Sequence, residues 1–125
     1  MGKSQFHLSG QIPVDPLTNE IVEGGIQAQT HQSIQNIITI LEEMGLETRH
    51  VVKTTVFLTD MANFAAMNEV YAQYFEEPYP ARSCVQVGAL PKGALVEIEC
   101  LVIDTLAYEN VQQKSCCCDG CGGCE

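Results

Sequence analysis

The stretch over residues 94–104, ALVEIECLVID, limits what this chain can fold into more than any other segment. Its side chains alternate with a period of two. Val96, Ile98, Cys100 and Val102 fall on one side of a strand, and Leu95, Glu97, Glu99 and Leu101 on the other. Such a strand needs one covered face, and the rest of the chain supplies the cover. Ile34, Ile37, Ile38, Leu41 and Met44 recur at helical spacing, predicting a helix over 26–44 that stops at Gly45. A second helix is expected over 62–75, capped by Asp60, with Phe64, Met67, Tyr71 and Tyr74 as a stripe of core residues. Pro78 and Pro80 end it. Further strands are expected at 5–9, 21–22, 51–59 and 82–87. The order β, β, helix, β, helix, β, β gives an α+β domain with two helices packed on one face of a sheet.

The 125 residues, 46% of them hydrophobic, suit one domain with a real core. Residues 1–108 are assigned to it. Residues 109–125, with five cysteines in the closing SCCCDGCGGCE, are expected to form a disordered, reduced Cys/Gly-rich tail rather than a metal or redox site. Sixteen acidic residues against six basic ones give a formal charge of −10. No basic stripe is present to displace counterions from phosphate, which argues against nucleic-acid binding. No run of about 18 apolar residues predicts a membrane span. The opening MGKSQ carries no apolar signal segment, and Phe6 stands where N-myristoylation prefers Ser or Thr, so a cytosolic location is expected. His7, His31 and His50 lack ligand-like spacing, and GALPKG at 88–93 lacks the Lys-Ser/Thr of a phosphate loop, so neither a histidine metal site nor a phosphate loop is expected.

The charges on the last two strands raise the functional question. If the helices cover Val96, Ile98, Cys100 and Val102, then Arg82, Cys84, Glu97 and Glu99 are expected together on the uncovered face. A hairpin turning at Pro91 and Lys92 would set Gln86 opposite Glu97 and Arg82 opposite Leu101. Arg82 and Glu97 would then lie about 13 Å apart along the strands, too far for one small ligand. That separation, and Leu95, Leu101 and Ile103 on the uncovered face, point to an oligomer with a site at the subunit boundary. A guanidinium there would hold a carboxylate bidentately, and a glutamate would orient water or move a proton. From spacing alone, a surface arginine beside a solvated acidic face is the plainer reading.

Four stretches change this balance: SGQIPVDP at 9–16, VVKTTVFLTDM at 51–61, FAAMNEVYAQYF at 64–75 and PARSCVQVGALPKGALVEIE at 80–99. In order and spacing they resemble the reactive intermediate deaminase family, RidA, also called the YjgF family. The resemblance spans residues 9 to about 103. It implies a chorismate-mutase-like α+β fold, a homotrimer with sites between subunits, and hydrolysis of 2-imino acids such as 2-iminobutanoate to 2-oxo acids and ammonia, without metal or organic cofactor. It further implies that Arg82 clamps the substrate carboxylate and that Glu97 positions or activates the attacking water. Cys84 would offer its backbone N–H to the ligand, and Gly10 would bring backbone close to it. Asn68 and Pro91 would line the pocket. Glu99 matches no catalytic position. Family members carry a further strand with a tyrosine before SGQIP, whereas here only MGKSQFHL precedes it, so an open sheet edge and a missing pocket wall are expected. The alternatives are a non-catalytic, 2-oxo-acid-binding regulatory trimer and a ribonuclease or translation inhibitor, which the acidic balance opposes.

Overall fold

The computed structural model describes residues 4–105. Along them run strands β1 (Ser4–Gln11), β2 (Val14–Asp15) and β3 (Glu20–Ile21), helix α1 (Gly25–Glu43), strand β4 (Val51–Leu58), helix α2 (Phe64–Tyr74), and strands β5 (Ala81–Gln86) and β6 (Val96–Asp104). The α+β class expected from the sequence is the observed one. The cysteine-rich tail lies outside the described residues, and among those residues no helix is long and apolar enough to cross a membrane.

The main sheet has the order β1-β6-β4-β5, with β6 antiparallel to both neighbours and β5 parallel to β4. β5 and β6 are therefore not the hairpin that the sequence suggested, and β4 lies between them. The reason is connectivity. The chain leaves β4, crosses through α2 and returns as β5, which only a parallel placement satisfies. The 87–95 connection is also longer than the two to five residues of a usual hairpin loop. It lets β6 pass to the far side of β4, where its alternation fits a central strand.

α1 and α2 cover one face. Ile34, Ile37 and Leu41 of α1 and Met67 and Tyr71 of α2 meet Val56, Leu58, Val96, Ile98, Cys100 and Val102 in one buried core. Gly45, in the left-handed conformation at φ 76°, turns the chain out of α1, as the sequence suggested. β2 and β3 form a small ribbon. Asn36 on α1 donates from its amide to the carbonyls of Ile12 and Val14, and Lys92 donates to the carbonyl of Asn19, so the ribbon is tied to both α1 and the 87–95 connection. Asp60 caps a short 3₁₀ turn that leads into α2.

Candidate active site

Strand parity places Arg82 where the sequence reading did not. Arg82 shares a rung with Thr54 and Cys100, and Cys84 shares one with Val56 and Ile98. Those neighbours are buried beneath the helices, so Arg82 and Cys84 lie on the helix-covered face. Glu97 shares its rung with Phe57 and Val85, and Glu99 with Thr55 and Ser83, on the open face. The expectation that all four lie together is therefore incorrect. The error lay in assuming that a charged residue must avoid the covered side. β5 is an edge strand, and its helix-side residues emerge beyond the helical layer: Arg82 is exposed and Cys84 half-buried. Within one chain, Arg82 and Glu97 are offset by about 10 Å along the strands and about 10 Å across them, on opposite faces.

α2 builds the surroundings of Arg82. The guanidinium lies 4.7 Å from the centroid of the Tyr71 ring and 5.3 Å from that of Phe64, and Nη1 donates to Oδ1 of Asn68. Phe64, Asn68 and Tyr71 follow one another at i, i+4 and i+7, so a single helix face aims two rings and an amide at one point. Tyr71 is fixed from below, its hydroxyl sharing a 2.8 Å hydrogen bond with Oγ1 of buried Thr54. Burial pushes the Tyr71 hydroxyl above its ordinary pKa, although the Thr54 hydrogen bond and the Arg82 charge pull the other way. Among the described residues no carboxylate lies within ion-pair distance of Arg82. The guanidinium borders a cleft of about 390 Å³ lined by Asn68, Tyr71, Ala72, Phe75, Tyr79 and Pro80.

Cys84, next along the same side of β5, has its thiol pushed up by burial, with Arg82 opposing, so it stays protonated at neutral pH. Among the described residues the outer edge of β5 bears no partner strand, which leaves backbone groups of Arg82 to Gln86 facing outward.

Glu97 and Gly10 come together across β6 and β1. The register between these strands shifts between Leu8 and Gln11, and the Glu97 side chain lies against the Gly10 backbone. A Cβ at Gly10 would overlap Oε2, Cδ and Cγ of Glu97, so the carboxylate occupies space that only glycine leaves open. On the same open face Glu99 lies 3.9 Å from Nε2 of His7, beside Lys53 and Thr55. Pro91 starts an exposed 3₁₀ turn in the 87–95 connection, with Lys92 at φ 59° following it. Among the described residues, Arg82, Asn68 and Cys84 thus gather at the β5 edge, and Glu97 and Gly10 on the open face. The sequence reading took Phe64 and Tyr71 for core packing. Both do pack on the core, and both also flank Arg82; the one sequence signal for that second contact is Asn68, already expected to line the pocket, a polar residue in the middle of the apolar stripe.

Known proteins resemble this chain over the same span. The endoribonuclease L-PSP family model matches residues 2–104. A RutC family protein of Pyrococcus horikoshii is 54% identical over 94 residues, covering 75% of this chain and 75% of its own. The human 2-iminobutanoate/2-iminopropanoate deaminase is 44% identical over 98 residues, 78% of this chain and 72% of the relative. The crystal structure of RidA from the Antarctic bacterium Psychrobacter sp. superposes with a TM-score of 0.77 at 47% identity, covering 80% of each chain.

Proposed function

Because the chain belongs to the RidA/RutC family, whose model is described as endoribonuclease L-PSP, we propose that it hydrolyses reactive 2-imino acids, such as 2-iminobutanoate, to 2-oxo acids and ammonia. The observation that carries this reading is the state of Arg82. Its guanidinium stands exposed at a sheet edge, backed by two rings and held by a neutral amide, and among the described residues no carboxylate cancels its charge. That suits the carboxylate of a small acid.

The chemistry asks little more. An imine carbon is electrophilic. With the carboxylate held by Arg82 and a water held by Glu97, reactants and general base are in place. Glu97 accepts a proton as the water oxygen bonds to carbon, and the C=N bond becomes single. That proton passes to nitrogen, giving a carbinolamine; its hydroxyl then gives up a proton, nitrogen takes one, the C–N bond breaks, ammonia leaves and the carbonyl forms. Neither half-site suffices alone, and a single chain keeps them on opposite faces. In a homotrimer, the β5 edge of one copy would meet the open face of the next, joining Arg82, Asn68 and the Cys84 N–H to the neighbour's Glu97 and Gly10, with Pro91 as a wall. Leu101, Ile103 and Val85, apolar and incompletely covered on the open face, favour such packing. The same reading makes this a cytosolic protein.

A 2-oxo-acid-binding regulatory trimer would use the same anchor. It differs only in whether Glu97 and a water turn over. Ribonuclease activity is disfavoured by the charge of −10. The test is an imine-hydrolysis assay in which an amino-acid oxidase generates the imine and semicarbazide traps it. The wild type is expected to suppress trapping and Arg82→Ala to lose that effect. Glu97→Gln is expected to abolish turnover while retaining 2-oxobutanoate binding. A folded protein that binds 2-oxobutanoate yet leaves trapping unchanged would establish the regulatory reading instead.

A further inference from the structure

We infer that Asn68, Tyr71 and Thr54 are positioning residues that set the plane and direction of the Arg82 guanidinium before any ligand arrives. The inference rests on reading Arg82 as the carboxylate anchor and goes beyond it, because the three act through Arg82, although Asn68 and Tyr71 also line its cleft.

The geometry is a closed circuit. Thr54 and Arg82 occupy the same rung of adjacent strands. From Thr54 the circuit runs through the 2.8 Å hydrogen bond to the Tyr71 hydroxyl, through the ring to the guanidinium 4.7 Å above it, and back along Arg82 to β5. Phe64 flanks the guanidinium at 5.3 Å. Two aromatic faces restrict its tilt by cation–π attraction. The hydrogen bond from Nη1 to Asn68 fixes its rotation within that plane. An exposed arginine otherwise samples many rotamers, and a ligand would have to suppress them on binding. Here that ordering is done by the fold.

The identity of residue 68 is the informative detail. An amide oxygen accepts one N–H and leaves the guanidinium's charge and its other donors available. A carboxylate at the same place would fit the same space and form a stronger pair, occupying the fork that a ligand carboxylate needs. Asparagine is the acceptor that orients the guanidinium without neutralising it. Tyr71 is correspondingly a neutral ring, since burial keeps its hydroxyl protonated.

The test measures 2-oxobutanoate binding by calorimetry and steady-state imine hydrolysis on the full chain, for wild type, Arg82→Ala, Asn68→Asp, Asn68→Ala, Tyr71→Phe, Tyr71→Leu and Thr54→Val. Asn68→Asp is nearly isosteric on a half-buried helix surface, so it is the variant least exposed to folding failure. It is expected to weaken 2-oxobutanoate binding and raise KM by about tenfold or more, with kcat within about twofold. Asn68→Ala should have a smaller effect in the same direction. Tyr71→Phe keeps the ring and should stay within about threefold of wild type, while Tyr71→Leu should lose about tenfold in binding. Thr54→Val should raise KM by about threefold, acting only through Tyr71. Asn68→Asp indistinguishable from wild type, with Arg82→Ala inactive, would overturn the inference and leave the anchor intact. A fall in kcat rather than a rise in KM for Asn68→Asp would also overturn it, by making residue 68 a contact of the reacting atoms. Full binding by Arg82→Ala would remove the anchor, and the inference with it.

Discussion

The two faces of the main sheet are made of the same strands and have opposite characters. On the helix-covered face Thr54, Val56, Leu58, Val96, Ile98, Cys100 and Val102 are sealed from water within the single chain. On the open face Thr55, Phe57, Glu97, Glu99, Leu101 and Ile103 are only half-buried, and Val85 is 42% exposed. The covered face is complete in itself. The open face mixes carboxylates with apolar side chains and suits neither bulk water nor a core; the proposed packing of copies would cover it. Arg82 belongs to neither class. By parity it lies on the covered side, but at the edge strand the helical cover runs out. A charged group can therefore project from the inner side of the sheet and still be solvated. Burial on one face is thus graded across the strands: Thr54 and Cys100 are buried on the rung where Arg82 is exposed.

The largest test of this division is a matched pair on β6. Ile98→Ala removes a fully buried side chain and should destabilise the protein by about 2–5 kcal/mol in urea unfolding. Leu101→Ala, three residues on and facing the other way, should cost less than about 1 kcal/mol in a dissociated chain but more at protein concentrations where the wild type assembles. Equal costs at high dilution would show that the open face is closed by the chain itself. A smaller effect is expected at Gly10. Gly10→Ala places a methyl group where the Glu97 carboxylate lies, so the carboxylate must move. Imine hydrolysis should fall by about tenfold through kcat, with little loss of stability because the displaced group is the end of a flexible side chain. An unaltered kcat would separate Glu97 from the chemistry.

What was legible in the sequence follows the same division. The alternation of β6 and the helical spacing of Ile34, Ile37 and Leu41 identify the covered face directly, because burial imposes a period on the sequence. The position of β5 was not legible. Its pairing depends on the crossover through α2, a non-local choice that leaves no local mark on ARSCVQ. A short edge strand with most of its side chains exposed carries little hydrophobic pattern to set its parity. The roles given to Arg82 and Glu97 came from motif resemblance. Their placement on opposite faces required the register. The aromatic support of Arg82 was half-legible, since Asn68 interrupts the apolar stripe of α2 at the point where that stripe meets a charge.

The smallest expected effect tests whether the two faces sense one another through the sheet. Cys100, on the covered face, has its thiol pushed up to about 12, first by burial and then by the negative charge of Glu99, its neighbour on the open side. Its ordinary value is 9.0, so the unfolded chain ionises before the folded one does. The stability this group contributes is fully present below about pH 9 and is lost as pH rises toward 12. Tyr71 and Cys84 are also raised and add to the same alkaline decline. Cys100→Ala should lower stability slightly at pH 7, through the small cavity it leaves, and make the decline between pH 9 and 11 shallower in a urea titration. Glu99→Gln leaves the thiol in place but removes the charge. It should shift the alkaline titration of Cys100, followed by thiolate absorbance, to lower pH. An unmoved titration would mean that the carboxylate turns its charge wholly toward the open side, so that the thiol answers to burial alone.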